Sequence, residues 1–409
     1  MPTDDWFRPR GYRHFDDPLS RADATQLVTD PSRVARHSFW PFLSYTRVER
    51  RYDRDAQEWR AKARPVAYAA HADSAIYAYY ARQLSALYEA GLAKAGLSDV
   101  AIAYRRFTPS KSNIDFALEA FNFIREKKNC SVLCVDVSKF FDSIDHQALK
   151  RQWRALLREE RLPADHYAVY RSLTRFATVN RDRVRRDFNL SKVSERRRSR
   201  LVDAKDFRDR VRGRGLIERN AKGKGIPQGS PLSALLANIY MLDFDAELNA
   251  MVANCGGLYR RYSDDILIVA PDDCVARLES EMMRLLADLG LSSNPKKREL
   301  VRFGVDGHAT NSQRVQYLGF LFDGRHTHIR DSSVSRFFQQ MRRNVNRARL
   351  VAGRNRRRVS RKMLFERFSH LGSRNFISYA YRAERVMNEP AIRRQVRNHW
   401  SRVVRLTRR

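Results

Sequence analysis

The sequence predicts an α+β fold, an antiparallel sheet covered by helices, and three observations predict it. The apolar, β-branched run Cys130 to Val137 (CSVLCVDV) has the length of a buried strand and ends on an acid, Asp136. A second pair of strand-like runs, GGLYRRY and ILIVA, flanks Tyr262-Ser263-Asp264-Asp265 closely enough to form a hairpin with the acids at its tip. Near the C-terminus, Phe337, Phe338, Met341 and Val345, then Leu364, Phe365, Phe368 and Leu371, recur at helical spacing, which gives two or three amphipathic helices.

Composition narrows the partners. The chain has 409 residues, with 79 Lys+Arg against 46 Asp+Glu, a formal charge of +33. Only 14 of the cations are Lys; 65 are Arg. A hydrophobic content of 43% is enough for two or three substructures and excludes a wholly disordered chain. The opening MPTDDWFRPRGYRHFDDPLS has no apolar leader and no stretch of 18 apolar residues exists, so a cytoplasmic protein without a membrane span is expected. Cys130, Cys134, Cys255 and Cys274 lack CxxC spacing and read as buried thiols of a reducing compartment.

The charge is not spread evenly. Residues 151–225 hold 23 cations and 10 acids, and residues 331–409 hold 22 and 4, so +31 of the +33 lies in two blocks around a near-neutral apolar segment. Arginine suits bidentate phosphate contact, which makes nucleic acid the expected partner. An anionic membrane would also suit the charge, but no amphipathic anchor is present.

Taken in order, the first basic block (RDRVRRDFNLSKVSERRRSRLVDAKDFRDRVRGRG) is too polar for core and reads as exposed helix and loop. Gly225 to Ser233 (GIPQGSPLS) is a turn running into the apolar helix ALLANIYMLDFDAEL. Asp272-Asp273 follows Pro271 and reads as a turn, while Asp142 and Asp145 suit helix caps or surface. A helix (ARLESEMMRLLADLG) then leads to Asn294-Pro295-Lys296-Lys297, and Tyr317-Leu318-Gly319-Phe320 sits in a strand, VQYLGFLF.

If the two acid-bearing strand regions pair, Asp136, Asp264 and Asp265 converge. Two carboxylates ~4 Å apart repel by about 4 kcal/mol at an effective dielectric of ~20, so the cluster must take up protons or divalent cations. Hard oxygen ligands select Mg2+ or Mn2+, and two such ions suit in-line phosphoryl transfer. A Y-x-D-D string alone is a weak signal, because adjacent acids also make ordinary turns. Its order among the other segments gives it weight.

In that order the segments resemble the palm of reverse transcriptases, in the bacterial branch that includes group II intron, retron and defence-associated enzymes. The resemblance covers about residues 45–330. It implies a right-hand polymerase fold: an N-terminal extension over 1–44, fingers over 45–128, palm over 129–150 and 226–330, a basic helical insertion over 151–225 and a basic helical thumb over 331–409. It implies metal ligands at Asp136, the Val137 carbonyl, Asp264 and Asp265, holding two Mg2+ (or Mn2+) ions. Phe141 takes the place of the family's aromatic steric gate against ribose, and Gln228 that of the residue beside the incoming nucleotide. Lys297, last in N-P-x-K, matches the lysine that protonates the leaving pyrophosphate. Lys62 and Arg64 resemble the fingers cations that hold the triphosphate, with Arg64 the stronger candidate. Arg105, Arg106 and Lys111 are candidate nucleotide or template contacts, and Tyr317, Leu318 and Gly319 resemble the primer grip.

The implied function is an RNA-directed DNA polymerase making cDNA from an RNA template and deoxynucleotides. No retron-type Val-Thr-Gly triplet, zinc-bearing endonuclease tail or ribonuclease H segment is found, and the chain is short for a maturase region. What remains resembles a defence-associated enzyme, and the opening RGYRHFD resembles the type 2 class. That implies antiphage defence with a structured non-coding RNA as template. A group II intron or retron enzyme is the alternative, and a non-catalytic RNA-binding scaffold a remoter one. An RNA-dependent RNA polymerase is disfavoured by Y-S-D-D in place of G-D-D and by the aromatic at the gate. The sequence does not give the oligomeric state or the primer.

Overall fold

In the computed structural model, residues 6–53, 57–354 and 359–408 are described. The strands are β1 (Phe42–Asp53), β2 (Glu58–Tyr68), β3 (Cys130–Asp136), β4 (Ala177–Asn180), β5 (Ile217–Arg219), β6 (Leu258–Tyr262), β7 (Asp265–Ala270), β8 (Glu299–Phe303), β9 (Val315–Tyr317), β10 (Phe320–Phe322) and β11 (Thr327–Ile329). They form three sheets of order β2-β1-β4-β5, β6-β7-β3-β8 and β11-β10-β9. The chain divides into two compact units, each assembled from separated stretches. One comprises residues 1–104, 137–247 and 283–292; the other comprises 105–136, 248–282 and 293–409.

The first unit holds the β2-β1-β4-β5 sheet. Its β1–β2 hairpin is long, with Arg47 opposite Arg64 and Leu43 opposite Tyr68. Only Phe42–Ser44 of β1 also pairs with β4. The first basic block corrects the expectation of exposed helix and loop. Val184, Leu190, Leu201, Val202, Phe207, Val211 and Leu216 are buried with Phe15 and Leu43 in a core of their own. The apolar residues are sparse, yet short helices bring them to one side, and several arginines are consumed internally. Arg185 pairs with buried Glu195 at 2.6 Å, and Arg210 lies 3.8 Å from the Phe188 ring centroid. The opening RGYRHFD segment straps the long helix His71–Lys94, because Asp16 accepts hydrogen bonds from the His71 and Ala72 amides at its first turn.

The second unit builds its core between the four-stranded sheet β6-β7-β3-β8, the helix Asn113–Lys127, the small sheet and the C-terminal helices. Val132, Leu267, Val301, Phe322, Met341, Val345, Leu364 and Phe368 all belong to it. Two or three amphipathic helices were expected at the C-terminus; five occur among the described residues, the longest Asp331–Arg354. Short turns split the arginine-rich stretch more often than its periodicity reveals, and Leu371 falls in one of them, 60% exposed. Asp272 and Asp273 are not a free turn: they occupy the first turn of the helix Asp272–Asp288, where acids suit the helix dipole. Asp145 caps the helix His146–Leu157 by accepting from the Ala148 amide at 2.7 Å. Of the four free cysteines only Cys130 is fully buried, its thiol pushed up to about 11 by burial; Cys134, Cys255 and Cys274 are partly accessible. No helix among the described residues is long and apolar enough to cross a membrane.

Candidate active site

The β6-β7-β3-β8 sheet places its acids by register. β3 and β7 are antiparallel with Asp136 opposite Asp265, and β6 pairs with β7 so that Tyr262 faces Asp265. Because side chains alternate along a strand, Asp136 shares a face with Val132 and Cys134, and Asp265 with Leu267 and Val269. Between β6 and β7, Ser263 and Asp264 make a two-residue turn, with Ser263 at a φ of 61°. The fully buried Arg261 donates from Nη1 to the Ser263 carbonyl at 3.1 Å, which braces this turn.

Asn294-Pro295-Lys296-Lys297 folds back onto Asp136. The Asn294 amide donates to the Asp136 carbonyl at 2.8 Å, and the Asn294 side chain caps the turn by accepting from the Lys296 amide at 3.2 Å. Lys297 then reaches the Asp136 carboxylate through Nζ as an ion pair. The motif thus has a structural job: asparagine and proline set the turn, and the turn sets the lysine.

Asp265 is pushed up to about 6, first by desolvation and then by Asp264 and Asp136, while Lys297 and Arg330 pull it down. Its side chain still reaches solvent, so partial burial and two neighbouring acids act together. Asp264 and Asp136 both act on Asp265, so the three expected carboxylates feel one another's charge. Among the described residues no group of three His, Cys, Asp or Glu side chains is gathered as a metal centre. Asp264 belongs to the turn, off the ladder that aligns Asp136 with Asp265. The donor set nevertheless fits a hard divalent cation: it is all carboxylate oxygen, and the raised Asp265 records surplus negative charge that such an ion relieves.

The primer-grip candidates divide. Leu318 and Gly319, at φ of 45° and 94°, form the tight turn between β9 and β10. Asn113 donates from Nδ2 to the Leu318 carbonyl at 3.0 Å and to the Tyr379 hydroxyl at 2.9 Å, and the Arg330 amide donates to the Gly319 carbonyl at 2.9 Å. Tyr317 is corrected: it is 4% exposed and raised by burial, so its side chain is core and only the backbone of the following turn is presented. Asn113 and Arg330 carried no signal in the sequence, since neither belongs to a distinctive pattern. Arg105 lies over the Phe107 ring at 4.9 Å and Arg106 is exposed, whereas Lys111 is paired with Glu119 at 2.7 Å.

The remaining candidates belong to the other unit, where backbone contacts gather them. The Ile226 amide donates to the Phe141 carbonyl at 2.9 Å, and the Ala67 amide donates to the Gln228 carbonyl at 3.1 Å. Gly229, at φ +127°, is required there, since a Cβ would lie 1.9 Å from the Ala67 carbonyl oxygen. The loop therefore links the short helix Phe140–Ser143 to β2, on which Arg64 lies three residues before Ala67. Arg64 and Gln228 are exposed, and Phe141 is half-buried against Phe140. Arg47, opposite Arg64, is a cation that only the strand register reveals. Val137 is buried, and the Lys62 side chain lies outside the described residues.

Residues 61–322 match the family described as reverse transcriptase (RNA-dependent DNA polymerase). The chain belongs to this family. Its palm and helical elements are those of a right-hand polymerase fold. No curated protein matches it in sequence. Among solved structures it is similar to apo telomerase from Candida tropicalis truncated from the C-terminal domain, at 14% identity over 75% of this chain with a TM-score of 0.40. The fuller apo telomerase from Candida tropicalis matches 97% of this chain at 11% identity and a TM-score of 0.43. The RNA-dependent RNA polymerase of a human picobirnavirus matches 72% at 13% identity and a TM-score of 0.39. The chain spans 59%, 67% and 45% of those chains respectively.

Proposed function

We propose that this reverse transcriptase family member is an active RNA-directed DNA polymerase, extending a primer on an RNA template with deoxynucleotides. The observation that carries the reading is the pairing of Asp136 with Asp265 across β3 and β7, inside the segment that matches the family. Asp136, Asp264 and Asp265, with the Val137 carbonyl, would hold Mg2+. Bound there, the ions would supply charge neutralisation for the phosphates and acidify the primer 3′-hydroxyl. Lys297 exchanges its carboxylate partner for the leaving pyrophosphate and donates the Nζ proton to it. Arg64 and Gln228 hold the nucleotide, and the Phe141 ring bars a ribose 2′-hydroxyl. The Leu318-Gly319 turn positions the primer terminus.

Incorporation of labelled deoxynucleotides and ribonucleotides by the purified protein on a primed RNA template tests this. Deoxynucleotide incorporation is expected; incorporation of ribonucleotides alone would favour an RNA polymerase, and none of either a scaffold. Phe141→Ala should raise ribonucleotide incorporation at least tenfold, and unchanged discrimination removes the gate role.

The finer reading is antiphage defence in the cytoplasm with a structured non-coding RNA as template. It is supported by the resemblance of the RGYRHFD opening to the type 2 defence class and by the basic blocks. Sequencing the nucleic acid that copurifies with the protein tests it: one recurrent structured RNA with complementary cDNA supports the reading, and an intron transcript overturns it.

A further inference from the structure

A cavity of about 280 Å³ opens within the first unit, between the helices His146–Leu157 and Ala164–Thr174. Lys150, Arg154, Glu160, Arg161, Leu162 and Tyr167 line it. Lys150 and Arg154 are one helical turn apart and so share a face. Arg161 comes from the connecting loop, giving three cations against one acid. None of the three is ion-paired among the described residues, and Arg154 Nε is buried without a hydrogen-bond partner. An unpaired buried Nε–H is costly, while Arg154 as a whole is only half-buried and lines the cavity. Tyr167 is 43% exposed, with Lys150 Nζ 5.2 Å from its ring centroid. The walls are fixed from behind: fully buried Trp153 donates from Nε1 to His166 Nδ1 at 3.2 Å, and the Tyr170 hydroxyl donates to the His146 carbonyl at 2.8 Å.

We propose that this cavity is a binding site for one nucleotide, with its phosphate on Lys150, Arg154 and Arg161 and its base against Tyr167. The volume is just below the range of about 300 to 1,000 Å³ typical of small-ligand pockets. Arginine presents a planar fork to phosphate oxygens, and an exposed aromatic accepts any base face, so the site selects chemistry rather than sequence. The nucleotide is either free or an unpaired residue of an RNA, and the two sources share these contacts. The site requires neither the carboxylates nor catalysis.

The test uses the full-length protein in EDTA, titrated with adenosine 5′-monophosphate by ligand-observed NMR, followed by competition with a short unpaired oligoadenylate. Saturable binding that Tyr167→Ala weakens about tenfold, and Lys150→Met/Arg154→Met by more, at unchanged melting temperature, supports the site. Displacement by the oligonucleotide, with a photo-crosslink at Tyr167, assigns it to RNA; binding without displacement assigns it to a free nucleotide. Asp265→Asn should bind the monophosphate as wild type does, so loss of the polymerase reading would leave the site standing. Equal binding by wild type and Tyr167→Ala, or no binding at millimolar ligand, overturns it. Tyr167 is exposed, so that variant remains informative if the double variant does not fold.

Discussion

Asp265 and His14 show how burial acts on single groups in opposite directions. At Asp265 partial burial and two neighbouring acids favour the proton, raising the group to about 6. A carboxyl raised in this way contributes stability at low pH that is lost as pH rises from the ordinary range through about 6. His14 is the reverse case. It is fully buried, its Nδ1 accepts from the Phe15 amide at 2.9 Å, and burial with His71 nearby lowers it to about 3. The folded chain keeps it neutral while the unfolded chain protonates it near the ordinary histidine value of 6.5. Its stabilising contribution is therefore complete above that value and declines as pH falls towards 3. At about 1.4 kcal/mol per pH unit, going from pH 7 to 5 should remove about 2 kcal/mol through this residue. Chemical denaturation of wild type and His14→Gln at both pH values checks this: the variant should lose about 2 kcal/mol less on acidification, and equal losses would contradict it.

At the scale of elements, backbone contacts decide which side chains come together. The Gly225–Gly229 loop is fixed at one end by Ile226 to Phe141 and at the other by Ala67 to Gln228. Gly229→Ala places a methyl 1.9 Å from a carbonyl oxygen at a φ that alanine rarely adopts. It should destabilise the first unit by at least about 2 kcal/mol or displace the loop, seen as a lower melting temperature and a raised KM for deoxynucleotide. An unchanged melting temperature together with an unchanged KM would mean that the loop does not rest on β2.

The Cys130–Asp136 strand and the Tyr262–Asp265 hairpin were legible in the sequence, because a buried strand and a short turn leave strong local patterns. The role of Val184, Phe207 and Val211 as core was not, since each is isolated among arginines and only tertiary folding aligns them. Asn113 and Arg330 were hidden for a related reason: their importance lies in bonds to Leu318 and Gly319, and nothing local to either residue encodes those partners. Tyr317 was misread because the motif marks the turn, while strand alternation buries the tyrosine.

For the molecule as a whole, the +33 charge resolves into arginines that fold the chain and arginines that remain outward. Arg185 and Arg210 belong to the first kind, while Arg183, Arg186, Arg197, Arg198, Arg208 and Arg214 are exposed. Template-primer binding through ~6 to 10 phosphates should weaken by about 10³ to 10⁵ between 50 and 200 mM salt, and a flat salt response would mean that these cations do not hold the backbone.

Primer extension on an RNA template by Asp264→Asn and by Asp265→Asn tests the central claim most directly, with circular dichroism to show that each variant is folded. Loss of deoxynucleotide incorporation by at least about 10³-fold in both, at wild-type helicity, is the predicted result. Extension at the wild-type rate by either variant would contradict a polymerase site built on Asp136, Asp264 and Asp265.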